Sequence, residues 1–189
     1  MRVLSKEEFE QEKDIIRNRL KEENIVFIYP TDTIYGIGCN ALNKEAVDRV
    51  RKIKHRSSNP FSVIAPSKEW IMENCNVNEN AKEWIKKLPG PYTLILKTKK
   101  ECVAKNVAPG LKTLGIRIPD HLFSGFVKEM NIPIVSTSAN ISGNGFMTSL
   151  EDLDEDIKSK VDFIVYEGPK KSKPSKIVDL TDKVKVIER

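Results

Sequence analysis

The chain has 189 residues, enough for one ordinary domain that buries roughly 70% of its unfolded surface. Apolar residues make up 39% and charged residues 31%, which excludes a disordered or fibrous chain, and no apolar run approaches the roughly 20 residues of a membrane span. Thirty-two basic against 27 acidic residues leave a net charge of +5, compatible with a phosphate-bearing partner but short of a nucleic-acid arm.

The N-terminus is too charged for a signal peptide, so a cytoplasmic location without membrane contact is expected. Residues 6 to 23 set Phe9, Ile15, Ile16 and Leu20 among charges, and Ser5 and Glu8 form a capping-box pair, which predicts an amphipathic helix. The run Ile25 to Tyr29 predicts a buried strand stopped by Pro30, which has no backbone donor. Asn43 caps a predicted helix through Lys54 with Ala46, Val47, Val50 and Ile53 on one face, and Phe61 to Ala65 follows as a strand. Helices are expected at 67–74 and 78–88. Pro89, Gly90 and Pro91 then force a turn into strands at 92–97 and 114–118, joined by a long loop around Pro109 and Gly110 that is expected to be mobile. A helix at 121–130, a strand at 132–136, a helix at 149–160 and strands at 161–166, 175–180 and 183–187 complete the reading. Helices and strands alternate without strict βαβ repetition, so the expected architecture is α/β, a twisted mixed sheet with flanking helices in a single domain.

Three strand ends carry small or cationic polar residues: Thr31 to Thr33, Gly115 to Pro119, and Ser136 to Asn140. Donors fixed by a sheet can hold phosphate or carboxylate oxygens, although Ser-rich loops also bond their own backbone. Lys54 and Arg56 leave a helix C-terminus, where they either complement its negative end or clamp a polyphosphate. Arg117 sits inside an apolar strand, where a permanent cation needs a partner, a ligand cleft or an exposed edge. The P-loop, dinucleotide, serine-hydrolase and zincin motifs are absent. His55 and His121 are too poorly partnered to name a general base, and Asp32 and Asp120 fit turn or cap roles as well as catalytic ones. Cys39, Cys75 and Cys102 form no CxxC and are expected to be inert thiols. The residues by themselves point to a site for a small anionic ligand or nucleotide.

YPTDTIYGIGCNAL at 29–42, the KxR of Lys54 to Arg56 with Asn59 and Pro60, LPGPYTLIL, GIRIPDH and STSANISG occur in the order of the YrdC-like threonylcarbamoyl-AMP synthase family, and PSKIVDL at 174–180 resembles its last motif. The resemblance implies a YrdC-like fold with a basic concave face, and a single catalytic domain over 1–189. It implies a nucleotidyltransferase that joins L-threonine, bicarbonate and ATP into threonylcarbamoyl-AMP and pyrophosphate, with Mg2+ accompanying ATP. The product would pass to a transient partner, a threonylcarbamoyl transferase that modifies tRNA. Carried over by motif, Thr33, Arg117, Ser138 and Ser175 look like threonine-site residues. Lys54, Arg56, Asn59, Thr113, Asn140, Thr148 and Arg189 resemble the nucleotide-site set, with Lys54 and Arg56 expected to be catalytic. The sequence departs from the family at Ile64, where many members have histidine, at Lys176, and at Phe146 and Met147. The alternative is a non-catalytic module that binds double-stranded RNA or tRNA through the basic face.

Overall fold

The computed structural model describes residues 1–188. In chain order the elements are β1 (Arg2–Leu4), α1 (Lys6–Glu22), β2 (Phe27–Tyr29), β3 (Gly36–Gly38), α2 (Lys44–Ile53), β4 (Ser62–Ile64), α3 (Lys68–Asn74), α4 (Glu79–Lys86), β5 (Tyr92–Lys97), a 3-10 turn (Lys105–Val107), β6 (Thr113–Arg117), α5 (Leu122–Met130), β7 (Ile134–Ser138), α6 (Glu155–Lys160), β8 (Phe163–Val165), β9 (Lys176–Asp179) and β10 (Lys185–Ile187). The strands form one sheet in the order β1-β8-β2-β3-β7-β4-β6-β5-β9-β10. Parallel pairs (β1 with β8, β2 with β8, β4 with β6, β5 with β9) mix with antiparallel ones, as expected of an α/β mixed sheet. No helix among the described residues is long and apolar enough to cross a membrane.

Local chemistry accounts for the helix starts. Ser5 Oγ accepts the Glu8 N–H while the Glu8 carboxylate accepts the Ser5 N–H, the reciprocal box expected, and α1 buries Phe9, Ile16 and Leu20. Ile15, placed on the apolar face by its spacing, is instead exposed. Asn43 Oδ1 accepts the Ala46 N–H at the start of α2, whose buried residues include Ala46, Val47, Val50 and Ile53.

Strand alternation divides the sheet into two faces. On one, Ile28, Ile37, Val63, Val135, Leu94 and Ile116 pack against α2, α3 and α4 in the larger core. On the other, Phe27, Tyr29, Ile64, Ile134 and Phe163 pack under α1 and α5, with Tyr29 stacked on Phe123 at a centroid distance of 4.3 Å. The helices cover only part of this second face. Ser62, Ser136 and Arg117 share it, since Ser62 pairs in register with Ser136 and Gly115, and Ile64 with Arg117.

Several expectations are corrected. Strands β1 and β3 were not anticipated, one for its length of three residues and the other because Gly-Ile-Gly has little strand propensity. The strand expected at 132–136 begins at Ile134, beyond the donorless Pro133, and continues to Ser138, so the serine-rich segment is ladder before it is loop. The helix expected from 149 starts at Glu155, where Asp154 accepts the Asp156 N–H. The long loop between β5 and β6 carries the 3-10 turn at 105–107 and is bonded to its surroundings on that side: Ala104 N–H donates to Ala41 O at 2.8 Å and Phe61 N–H to Val107 O at 2.8 Å.

Tyr29 lies across β3 because β3 has no side chain beneath it. A Cβ on Gly38 would stand 2.2 Å from the Val135 carbonyl oxygen and 2.9 Å from the Tyr29 ring, so neither the neighbouring backbone nor the ring leaves room for it. We expect Gly38→Ala to lose about 3 kcal/mol or more in urea unfolding, beyond ordinary overpacking because backbone must move. Gly125→Ala, in α5 with open space around it, is expected to gain about 0.5–1 kcal/mol. Equal stability of the two variants would show that β3 does not need glycine.

Candidate functional site

A hollow of about 150 Å³ opens on the part of the second face that the helices leave bare. Its floor is the strand surface: Ser62 of β4, Thr93 of β5, Arg117 of β6, and Ser136 and Ser138 of β7. Its walls are loops, with Thr31, Ile34 and Tyr35 from the β2–β3 connection, Arg56, Pro60 and Phe61 before β4, Phe146 after β7, and Pro174 and Ser175 before β9.

Arg117 is 6% exposed, and its Nη2 donates to Asp32 Oδ1 at 2.6 Å and to Thr33 Oγ1 at 3.2 Å. Burial pulls its pKa down and the Asp32 carboxylate pulls it back up, with burial the larger effect. Its Nε is buried with no hydrogen-bond partner, so the guanidinium has donor capacity to spare, and Arg117 lines the hollow. Asp32 also accepts the Asp120 N–H, at 3.1 Å, which ties the loop after β6 to the loop after β2. Thr31 and Thr33 hydroxyls lie 3.0 Å apart, and Thr31 Oγ1 donates to Ile34 O.

Lys54 caps α2 and is 1% exposed. Its ammonium donates to Ser138 O at 2.5 Å, Asn140 O at 2.6 Å and Asn140 Oδ1 at 3.1 Å, at the end of β7 and in the loop that leaves it. Burial, with the nearby Arg56 charge, pushes its pKa down to about 7. Ser138 Oγ donates to the same Asn140 Oδ1 at 2.5 Å, and Asn140 Nδ2 donates to Asn144 O at 2.7 Å. Lys54 and Asn140 thus stand behind Ser138 and hold its loop, while Ser138 itself faces the hollow.

The far wall is a strap between β8 and β9. Tyr35 Oη donates to Gly168 O at 2.7 Å and accepts the Glu167 N–H at 3.1 Å, and the Lys170 N–H donates to Thr148 O at 2.8 Å. The strap ends at Ser175, whose hydroxyl lies 2.8 Å from that of Thr93 on β5.

Of the residues singled out from the sequence, Arg56, Arg117, Ser138 and Ser175 line the hollow together, and Thr33 joins them through Arg117. Asn59 contributes its carbonyl, which accepts from Arg56 Nε at 3.2 Å, but its side chain is not part of the lining. Thr148 Oγ1 donates to Asp152, away from the hollow. Thr113 begins β6 and lines a different cavity, four residues and about 13 Å along the strand from Arg117. Arg189 lies outside the described residues. The sequence reading missed Ser62, Thr93, Phe61 and Phe146. Ser62 and Thr93 could have been flagged as lone hydroxyls in apolar strands, but their meeting depends on register. Cys39, Cys75 and Cys102 are free thiols outside this lining.

The folded chain releases a proton at Lys54 that the unfolded chain keeps until about pH 10. Stability of the wild type relative to Lys54→Met is therefore expected to rise as the pH climbs from about 7 to about 10, and to be flat below that window. Unfolding midpoints of both proteins across the range test this; a constant difference would mean that Lys54 stays charged throughout.

Comparison with known proteins places this architecture. The Sua5/YciO/YrdC family model, described as "Telomere recombination", matches residues 18–189. A Methanocaldococcus jannaschii protein is 40% identical over 183 residues, covering 92% of this chain and 84% of the relative. The threonylcarbamoyl-AMP synthase of Bacillus subtilis is 38% identical over 154 residues, which are 79% of this chain and 44% of that protein. Among solved structures, Pyrococcus abyssi Sua5 complexed with L-threonine superposes with a TM-score of 0.83 at 31% identity, over 95% of this chain and 54% of that one. A family model that spans nearly the whole chain, with relatives this similar and the same sheet, shows that the protein belongs to the Sua5/YciO/YrdC family.

Proposed function

We propose that this chain is a threonylcarbamoyl-AMP synthase, which condenses L-threonine, bicarbonate and ATP to threonylcarbamoyl-AMP and pyrophosphate. The observation that carries the reading is Arg117, a buried guanidinium with spare donor capacity on the floor of a hydroxyl-lined hollow, in a fold shared with a threonine-complexed relative. Arginine takes a carboxylate in a planar fork, which suits the substrate's α-carboxylate, and Asp32 and Thr33 keep that fork from turning. The hollow suits a small amino acid, and Ser62, Thr93, Ser136 and Ser175 bring hydroxyls to its lining, the kind of group that pairs with the threonine hydroxyl. A site that pairs that group rejects analogues lacking it far better than an apolar pocket would.

A nucleoside triphosphate is much larger than this hollow and would lie across its mouth on the Arg56 side. In this proposal the threonine amine and bicarbonate form a carbamate with loss of water. A carbamate oxygen then attacks the α-phosphorus, the bond to the β-phosphate oxygen breaks, and pyrophosphate leaves with the electron pair. The carbamate is already anionic, so the chain need not supply a base; its contribution is orientation and neutralisation of charge at the phosphates, chiefly by Arg56. Among the described residues no three His, Cys, Asp or Glu side chains come together as a metal site, and the hollow's lining contains no carboxylate. The chain's own donors do not fit a resident metal, and Mg2+ belongs to the proposal as the ion carried in on ATP. Lys54 and Asn140 act by holding the Ser138 loop. The product would be handed to a tRNA-modifying transferase. The names of the relatives favour this synthase over a non-catalytic RNA-binding module.

Purified protein given MgATP and bicarbonate is expected to release pyrophosphate with threonine and not with valine or serine; equal release with either analogue would overturn the specificity. Arg117→Ala is expected to lose roughly 10²-fold in kcat/KM for threonine, the scale for one preorganised charged donor. Unchanged kinetics would remove Arg117 from the site.

A further inference from the structure

The loop that carries Arg56 is built around a second arginine outside the hollow. Arg51, in the last turn of α2, is 8% exposed. Its Nε donates to Asn106 O at 2.7 Å, its Nη1 lies 3.1–3.2 Å from the carbonyl oxygens of Arg56, Ser57 and Asn59, and its Nη2 donates to Val107 O at 3.3 Å. One guanidinium is shared among five backbone carbonyls, and among the described residues no carboxylate bonds to it directly. Burial lowers its pKa, the signature of a charge taken out of water.

An apolar residue in this place would remove a donor from each of these carbonyls; Val107 O would keep the Phe61 N–H and Asn59 O the Arg56 Nε, but the exposed stretch 57–60 would lose its bonds to α2. Instead, the three carbonyls of residues 56–59 converge on Nη1 from the loop's inner side, so the loop curves around Arg51 and its side chains turn outward. Arg56 then lies with its Nε on Asn59 O at 3.2 Å and its Nη2 on Pro60 O at 2.5 Å. Phe61 fixes the relation of the two arginines, for Arg51 Cζ stands 4.5 Å and Arg56 Cζ 5.0 Å from its ring centroid. Arg51 also joins this loop to the 3-10 turn at 105–107, which Asn106 anchors to α2 through Lys44 O at 2.9 Å and Asp48 at 2.7 Å.

We infer that Arg51 is a positioning residue for the nucleotide end of the site: its guanidinium sets the 56–60 loop, and through that loop the place of Arg56 at the hollow. The inference rests on the synthase reading given above. It requires the planar fork, since a lysine ammonium in the same place cannot reach both the loop and the 3-10 turn with five donors.

The test compares Arg51→Met and Arg51→Lys with wild type by steady-state pyrophosphate release, and by hydrogen exchange, without substrate, of the amides at the two ends of the loop, Arg56 N–H on Arg51 O at 3.0 Å and Phe61 N–H on Val107 O at 2.8 Å. Both variants are expected to raise the KM for ATP about tenfold while the KM for threonine stays within about twofold, and to exchange faster at Arg56 and Phe61 than wild type. Should Arg51→Met fail to fold, Arg51→Lys, which keeps the charge and the stem, carries the comparison. An unchanged ATP KM in a folded variant, parallel rises in both KM values, unchanged exchange at Arg56 and Phe61, or full function in Arg51→Lys would each overturn the inference. If wild-type protein releases no pyrophosphate with threonine, the synthase reading falls, and exchange at Arg56 and Phe61 still decides whether Arg51 holds the loop.

Discussion

A guanidinium in the middle of a sheet is stable only if something answers its charge, and the fold around the hollow is organised by how that demand is met at Arg117. Removing such a group from water costs several kcal/mol, and losing its partner costs about 3–5 kcal/mol. Asp32 supplies the counter-charge from a loop 85 residues away in sequence, Thr33 supplies a second acceptor, and the Asp120 backbone closes the other carboxylate oxygen. Two loops that leave different strands are thereby locked over one strand end. The arrangement uses only part of the guanidinium, and the residue that keeps this spare capacity lines the cavity.

The same sheet face serves two purposes. Under α1 and α5 it carries Phe27, Tyr29, Ile64 and Ile134; a few ångströms along the same strands it carries Ser62, Ser136 and Arg117. Apolar burial of the first region supplies stability, at roughly 25 cal/mol for each Å² removed from water, and leaves the second free to stay polar. Cations around the hollow divide in a comparable way. Lys54 and Arg51 give their donors to backbone carbonyls and shape loops outside the lining, whereas Arg117, and Arg56 with its own bonds to Asn59 O and Pro60 O, line the cavity. The basic concave face suggested by the family resemblance therefore has the half-buried Arg56 and the buried Arg117 at its lining, with Arg51 and Lys54 behind them.

Much of this was legible in the residues. Capping at Ser5 and Asn43, the apolar stripe of α2 and the stop at Pro30 are local chemistry, and local chemistry is written in adjacent residues. Arg56, Arg117, Ser138 and Ser175 were marked because they end elements in recognisable motifs, and they do share a cavity. What stayed hidden depends on pairing over distance. Gly36 and Gly38 look like a loop until Tyr29 is seen to need the space above them, and Ser62 becomes part of a floor only when register sets it beside Ser136 and Gly115. Lys54 illustrates the limit most clearly: as a helix-terminal cation in a KxR motif it suggests a phosphate ligand, but Ser138 and Asn140, more than 80 residues on, take its donors.

The cavity's last wall comes from far along the chain. Ser175 meets Thr93 across 82 residues, and β9 joins β5 as a parallel strand that no hairpin can deliver. Such pairings form slowly, because their loop entropy must be overcome before any contact compensates it. During synthesis, a ribosome that has released Thr31 through Asn140 has produced both guanidiniums and most of the hydroxyl floor, yet the pocket remains open on one side. The hollow's last wall is complete only when the penultimate described strand docks, so the cavity's enclosure is tied to nearly the whole chain having been made.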